Sequence, residues 1–268
     1  AADESTGTIA KRFKSINVEN LEKNRLNFRQ TLFDSSAMKE YIGGVILFDE
    51  TIKQKTTLGL TIPELISKHG AITGIKVDKG AKQLAGSNDE TITEGLDGLR
   101  ERLKEYYELG ARFTKWRGVY LIGDKYPSLL SVKSNAHALA RYSALVQEAN
   151  MVPIVEPEVL MDGSHDIKKC YQVTTDVLNE CFNELEHNKV DLKGIVLKPN
   201  MIIPGSECKN KSSSEEIAKQ TLDCLKKNVP SDVPGIAFLS GGQSEIESSK
   251  NLHEINKIND TNFLITFS

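Results

Sequence analysis

Lys198 closes the apolar run Gly194-Ile195-Val196-Leu197 and is followed at once by Pro199-Asn200-Met201. An amine at the end of a hydrophobic strand is costly unless a charge answers it or chemistry uses it. Lys76 follows Gly74-Ile75, and Lys115 follows Arg112-Phe113-Thr114. Asp3 comes after Ala1-Ala2, and Glu156 after Pro153-Ile154-Val155. Five charged groups leaving five separate strands are expected to share one cleft. Lysines close together, partly out of water, disfavour each other's charge, so that one amine can be lowered towards neutrality. A neutral amine can attack a carbonyl and form an iminium, which draws electrons from the adjacent carbon and lets a C–C bond beside it break. Carboxylates then carry protons for dehydration of the carbinolamine and for the nascent alkoxide. Lys198, with the most hydrophobic approach, is the expected nucleophile. The plainer alternative is that it pairs with an acid or snorkels to the rim.

Anion-binding candidates lie elsewhere. Ser240-Gly241-Gly242-Gln243-Ser244 offers backbone N–H groups and hydroxyls after a strand, where barrels often bind phosphate. Ser5, Thr6, Gly7 and Thr8 could cap a helix starting near Ile9. Lys11 and Arg12 follow within two turns, to meet a second phosphate or face solvent. Metal chemistry has little support: His69, His137, His165, His187 and His253 are scattered with no ligand spacing. His165 reads as a loop histidine, and Trp116 as a packing anchor beside Lys115 and Arg117.

The elements that must position these groups are visible as recurring β-branched runs: 42–48, 71–77, 111–116, 151–155, 194–197, 235–239 and 263–267, with a stub at Ala1-Ala2. Helical patterns lie between them, at Gly95–Gly110 with Leu96, Leu99, Leu103 and Tyr107 on one face, at Asn135–Asn150, and at Ser214–Asn228. Strands alternating with helices imply parallel pairing with right-handed crossovers. Eight such units imply one α/β domain over residues 1–268, a (β/α)8 TIM barrel that looks cut within its first and last strands. An open doubly wound sheet is the rival, but the sequence has neither Gly-x-Gly-x-x-Gly nor Gly-x-x-x-x-Gly-Lys. The length of 268 residues suits a barrel, which needs roughly 250.

Composition narrows the classes. With 39% hydrophobic and 26% charged residues and a net charge of −3, the chain is an ordinary globular one with no basic tract for nucleic acid. The longest apolar stretch, Tyr41 to Phe48, is too short to span a bilayer, so no membrane insertion is expected. Cys170, Cys181, Cys208 and Cys224 show no Cys-x-x-Cys spacing and read as reduced thiols of a cytoplasmic protein.

Ordered along the chain, several stretches resemble class I fructose-1,6-bisphosphate aldolase, the metal-independent, Schiff-base type. They include Ala1-Ala2-Asp3-Glu4-Ser5-Thr6-Gly7, Gly74-Ile75-Lys76-Val77-Asp78-Lys79-Gly80 and Lys115-Trp116-Arg117. Further on are Val152-Pro153-Ile154-Val155-Glu156-Pro157-Glu158, Leu197-Lys198-Pro199-Asn200-Met201 and Phe238-Leu239-Ser240-Gly241-Gly242-Gln243-Ser244-Glu245. The resemblance runs from the first residue to the last.

It implies a lyase of glycolysis and gluconeogenesis that needs no cofactor or metal. The substrate would be fructose 1,6-bisphosphate, split into dihydroxyacetone phosphate and glyceraldehyde 3-phosphate. Lys198 would form the Schiff base, Glu156 act as general acid/base, and Asp3 assist C–C cleavage. Lys115 would hold hydroxyls and depress the Lys198 amine, and Glu158 would orient Lys198 and Glu156. Ser240 and Gly241 would bind one phosphate. Ser5, Thr8, Lys76 and Arg12 would line the rest of the cleft, with Lys11 and Arg117 as secondary contributors. Thr8 stands where relatives often carry serine; the hydroxyl is kept. Family members continue beyond Phe267-Ser268 with Tyr-Gly-Arg and a tail ending in tyrosine. The resemblance also implies a homotetramer and a possible actin or cytoskeletal adaptor partner. The alternatives are another Schiff-base barrel enzyme, such as a transaldolase or deoxyribose-phosphate aldolase, and a binding protein with a decayed site.

Overall fold

The computed structural model describes residues 1–268, whose contacts group them into two compact units. The first unit holds Ala1–Val77, Gly98–Lys115 and Glu148–Met151. In chain order it contains α1 (Thr6–Ser15), α2 (Glu22–Phe33), α3 (Ala37–Tyr41), β1 (Gly44–Leu47), α4 (Asp49–Ile52), α5 (Ile62–Lys68) and β2 (Ile72–Lys76). After an excursion into the second unit, where β3 (Ala81–Gln83) and β4 (Thr91–Thr93) form an antiparallel hairpin, the chain returns as α6 (Leu99–Glu108) and enters β5 (Phe113–Tyr120). The rest of β5 belongs to the second unit, Asp78–Asp97, Trp116–Gln147 and Val152–Ser268. There follow α7 (Leu129–Glu148), β6 (Val152–Val159), α8 (Ile167–His187), β7 (Val196–Leu197), α9 (Ser214–Asn228), β8 (Gly235–Phe238), α10 (Glu245–Ile258) and β9 (Leu264–Phe267).

Within the first unit β1 pairs with β2 and β2 with the start of β5, all parallel, and Ala2 makes a parallel bridge to Leu47. The stub expected at the start of the chain is therefore in register with the sheet. Gly44 and Gly74 are dictated by Phe113: a Cβ at Gly74 would lie 2.3 Å from the Phe113 ring, and one at Gly44 3.0 Å. The ring fills the space those two side chains would take. In the second unit β6, β7, β8 and β9 are successive parallel neighbours. The outer face of β5 is closed by Trp116, fully buried and stacked on Tyr142 of α7 at 5.5 Å. The packing role expected of Trp116 is the one it has.

Local sequence explains where helices begin. Ser5 caps α1, accepting the Thr8 N–H at 3.3 Å, so this helix starts at Thr6, three residues before the expected Ile9. Thr61 and Glu64 form a capping box on α5, with Pro63 in the first turn. α9 spans the expected Ser214–Asn228, capped by Ser213 on the Glu216 N–H.

Two expected helices shift. α6 starts at Leu99 and not Gly95, because Gly98 takes a left-handed φ of 64° that separates Leu96 from the helix. Its inward face is Leu99, Leu103 and Tyr106, while Tyr107 is exposed. Tyr106 also donates to Asp49 at 2.8 Å, a partner that sequence spacing does not reveal. α7 begins six residues before Asn135, where the Ser128 hydroxyl accepts the Ser131 N–H at 3.2 Å.

β5 and β6 are longer than the apolar runs that announce them, each continuing through interior charged residues. Lys115 and Glu156 consequently lie within their strands and not at the exits.

Candidate active site

In the first unit, Lys76 and Lys115 are register partners across β2 and β5. Each lies two residues beyond the Gly74–Phe113 contact, so strand alternation puts both lysines on the face that Phe113 floors. Lys115 is 5% exposed and its Nζ meets Asp3 at 2.8 Å. A buried ammonium needs such a partner: removing one member of a buried pair costs about 3–5 kcal/mol.

Next along the chain, Glu4 pairs with Arg12 of α1. Ser5 and Thr8 hydroxyls lie 3.1 Å apart at the helix start, and Lys11 and Arg12 are exposed on α1. Sequence reading passed over Arg29. Its guanidinium is fully buried and donates to the Glu4 carbonyl at 2.6 Å, fixing the backbone beside Asp3. Burial pulls the Arg29 pKa below its ordinary value, against the pull of Glu4 and Glu50. The available signal was Arg25 and Arg29 one turn apart on α2, a face that reads as solvated but holds Glu50 from Arg25 at 2.5 Å.

In the second unit, Lys198 leaves β7 and its Nζ lies 3.1 Å from Glu156 Oε1 of β6. Both side chains are almost fully buried. The Lys198 backbone N–H donates to the Val155 carbonyl at 2.8 Å, extending the β6–β7 register Val155↔Leu197 by one step.

Glu156 and Glu158 share one face of β6. The contact made by Glu158 is with the Nε of Arg117. Burial works against the Arg117 charge, but attraction to Glu158 and the hydrogen bond between them outweigh it and hold the guanidinium above its ordinary range.

The Arg117 backbone is itself anchored. Thr93 of β4 donates its hydroxyl to the Arg117 carbonyl at 2.6 Å, and the buried Asn135 carboxamide holds the Thr91 carbonyl and Thr93 N–H. The β3–β4 hairpin that carries Thr93 is too short and polar to be legible as strands.

After β8, Ser240 is exposed and Gly241 passes beside Glu158: a Cβ there would sit 2.9 Å from Glu158 Oε1. Gly242 has φ 76°, which favours glycine, and Ser244 caps α10 in a capping box with Glu247. His165 lies in the loop before α8, where burial pulls its imidazole below the ordinary range. The four cysteines are unbridged and buried.

This arrangement can do amine chemistry. Lys198 has a carboxylate within proton-transfer distance, whereas Glu158 is committed to a guanidinium that keeps its proton.

Comparison with known proteins agrees. A family model described as fructose-bisphosphate aldolase class-I matches residues 1–268. A probable fructose-bisphosphate aldolase class 1 of Xylella fastidiosa is 52% identical over 268 residues, 100% of this chain and 80% of the relative. The cytosolic fructose-bisphosphate aldolase 4 of Arabidopsis thaliana is 54% identical over 258 residues, 96% of this chain and 66% of its own. A solved Plasmodium falciparum fructose-bisphosphate aldolase, in complex with TRAP and a small-molecule inhibitor, superposes with a TM-score of 0.98 at 46% identity, covering 100% of this chain and 78% of that one. That match carries the fold class expected from the alternating strands and helices, the (β/α)8 barrel. With a family model matching end to end over strands that bring Lys198 to Glu156 and Lys115 to Asp3, the chain belongs to the class I fructose-bisphosphate aldolase family.

Proposed function

We propose that Lys198 is the Schiff-base nucleophile of this aldolase and that Glu156 moves the protons of imine formation. The observation that carries this is the 3.1 Å contact between the Lys198 amine and the Glu156 carboxylate in a dry setting. The amine must shed a proton before it attacks, and Glu156 is the acceptor beside it. In this reading the lone pair of Lys198 Nζ adds to the C2 carbonyl of fructose 1,6-bisphosphate. Glu156 then returns the proton to the carbinolamine hydroxyl, which leaves as water. Asp3 takes the C4 hydroxyl proton as the C3–C4 bond breaks. Glyceraldehyde 3-phosphate departs, and the bonding pair is held on the enamine. Protonation at C3 and hydrolysis of the imine then release dihydroxyacetone phosphate.

Lys115, held by Asp3, contacts substrate hydroxyls. Glu158 and Arg117 keep a fixed charge pair next to Glu156. Ser240 and Gly241 hold one phosphate, and Ser5, Thr8, Lys11, Arg12 and Lys76 serve the remainder of the substrate. No metal takes part.

The protein acts in the cytosol as a homotetramer. Support for the location comes from relatives named cytosolic in Arabidopsis and cytoplasmic in spinach. No helix is long and apolar enough to cross a membrane. A protein partner, which the family resemblance makes a cytoskeletal adaptor, is part of the same reading; the Plasmodium aldolase was itself crystallised in complex with TRAP.

The test is cleavage of fructose 1,6-bisphosphate by the intact protein in excess EDTA, beside fructose 1-phosphate. Full activity with the chelator and a clear preference for the bisphosphate are expected. Loss of activity in EDTA, or equal rates on the two sugars, contradicts the reading.

A further inference from the structure

Beyond Leu197 the β6–β7 ladder has a defect. β7 ends at Leu197, Pro157 of β6 has no N–H to donate towards β7, and β6 continues to Val159. The Val159 N–H, in a buried part of the sheet, would be left without a strand partner, at a desolvation cost of about 1–3 kcal/mol. Asn200 fills this place. Its side chain is 2% exposed and its Oδ1 accepts the Val159 N–H at 3.2 Å. The amide nitrogen donates to the Thr174 hydroxyl of α8 at 3.1 Å and to the Met201 carbonyl at 3.1 Å, and the Cys170 sulfur lies 4.0 Å away. The carboxamide is therefore satisfied on both ends, and Thr174, its anchor, is itself buried.

The placement matters for the chemistry. The chain segment carrying Lys198 is tied to β6 on both sides of the carboxylates: by Lys198 N–H to the Val155 carbonyl before Glu156, and by Asn200 to the Val159 N–H after Glu158.

We infer that Asn200 is a positioning residue, whose carboxamide completes the β6–β7 ladder across the proline, couples it to α8 through Thr174, and so holds Lys198 opposite Glu156. The inference rests on the reading of Lys198 as the nucleophile. It concerns the step in which amine, carboxylate and carbonyl must align, so its loss slows imine formation more than it weakens substrate binding. Displacements of about 1 Å in such constellations can cost on the order of 10²-fold in rate.

The experiment compares wild type, Asn200→Ala and Thr174→Val. For each it measures the rate of imine accumulation with dihydroxyacetone phosphate, quenched by borohydride, along with kcat and KM for fructose 1,6-bisphosphate and the Tm. Asn200→Ala is expected to slow imine accumulation and kcat by about 10- to 100-fold while KM stays within about threefold. Thr174→Val keeps the Val159 hydrogen bond and loses only the helix anchor, so a fall in the same direction of about three- to tenfold is expected. A lower Tm with imine rate and kcat within about twofold of wild type overturns the inference, leaving Asn200 a packing residue. If Asn200→Ala does not fold, Thr174→Val decides by the same criterion. A wild-type protein trapped at another lysine would instead overturn the nucleophile assignment, and this inference with it.

Discussion

Glu156 and Glu158 lie two residues apart on β6, on the same face and both buried, yet their surroundings set different tasks. Glu156 faces a lysine, Glu158 an arginine. A lysine amine can give up its proton and become a nucleophile. A guanidinium does not in a protein, and that of Arg117 is held above its ordinary range by the contact itself. One pair can therefore pass a proton back and forth, while the other stays a fixed dipole that shapes the field around the first. The partner's chemistry, and not the carboxylate's position along the strand, separates a proton carrier from a scaffold.

The sharpest way to break this comparison is to neutralise each carboxylate in turn. Glu156→Gln keeps shape and loses the proton carrier, so kcat should fall by about 10²- to 10⁴-fold with KM nearly unchanged. Glu158→Gln should cost only about tenfold in kcat, because the charge pair with Arg117 is reduced to a neutral hydrogen bond while the proton carrier is kept. Steady-state kinetics of the two variants side by side decide the matter, and a larger kcat loss for Glu158→Gln would reverse the assignment.

A smaller effect is expected from Gly241→Ala. Its Cβ would come within 2.9 Å of Glu158 Oε1, so the carboxylate or the turn must shift. Strain of that kind costs typically about 1–3 kcal/mol, read here as roughly a tenfold rise in KM with little change in kcat. An unchanged KM would mean that the turn moves freely and that Glu158 does not feel it.

The last effect is on stability and concerns buried thiols. Burial pushes the thiols of Cys170 and Cys181 up to about 12. Their folded pKa values are raised above the unfolded value of about 8.5, so the stability they contribute is complete below about pH 8.5 and is lost as pH rises towards about 12. Denaturant midpoints measured at about pH 7.5 and about pH 9.5 should fall for wild type, and fall less when both residues are changed to alanine. An identical fall in the variant would remove the thiols as the cause.

Much of the candidate site was legible because charge is conspicuous where apolar runs end. Lys76, Lys115, Glu156 and Lys198 stood out in this way, and the pairing of Lys198 with an acid was foreseen as its plainer alternative. The fold class was legible from the alternation of strands and helices. Strand lengths were not, because the interior residues Arg117 and Glu158 interrupt hydrophobicity while the backbone ladder continues. Arg29 was hidden because an arginine on a helix reads as a solvated face, although this one is fully buried against the Glu4 carbonyl. Asn200 was hidden for a different reason. Its value lies in repairing a ladder beyond Pro157, and that gap exists only once β6 and β7 are paired. Tyr106 and Tyr107 were exchanged because an early helix start at Gly95 turns the inward face by one residue.

The central claim is that Lys198 carries the covalent intermediate. Borohydride reduction of the protein with dihydroxyacetone phosphate, followed by peptide mass spectrometry, tests it most directly. A reduced adduct on the peptide containing Lys198, absent when the substrate is left out, is the predicted result. An adduct on Lys76 or Lys115, or no adduct in folded protein that still cleaves fructose 1,6-bisphosphate, would contradict it.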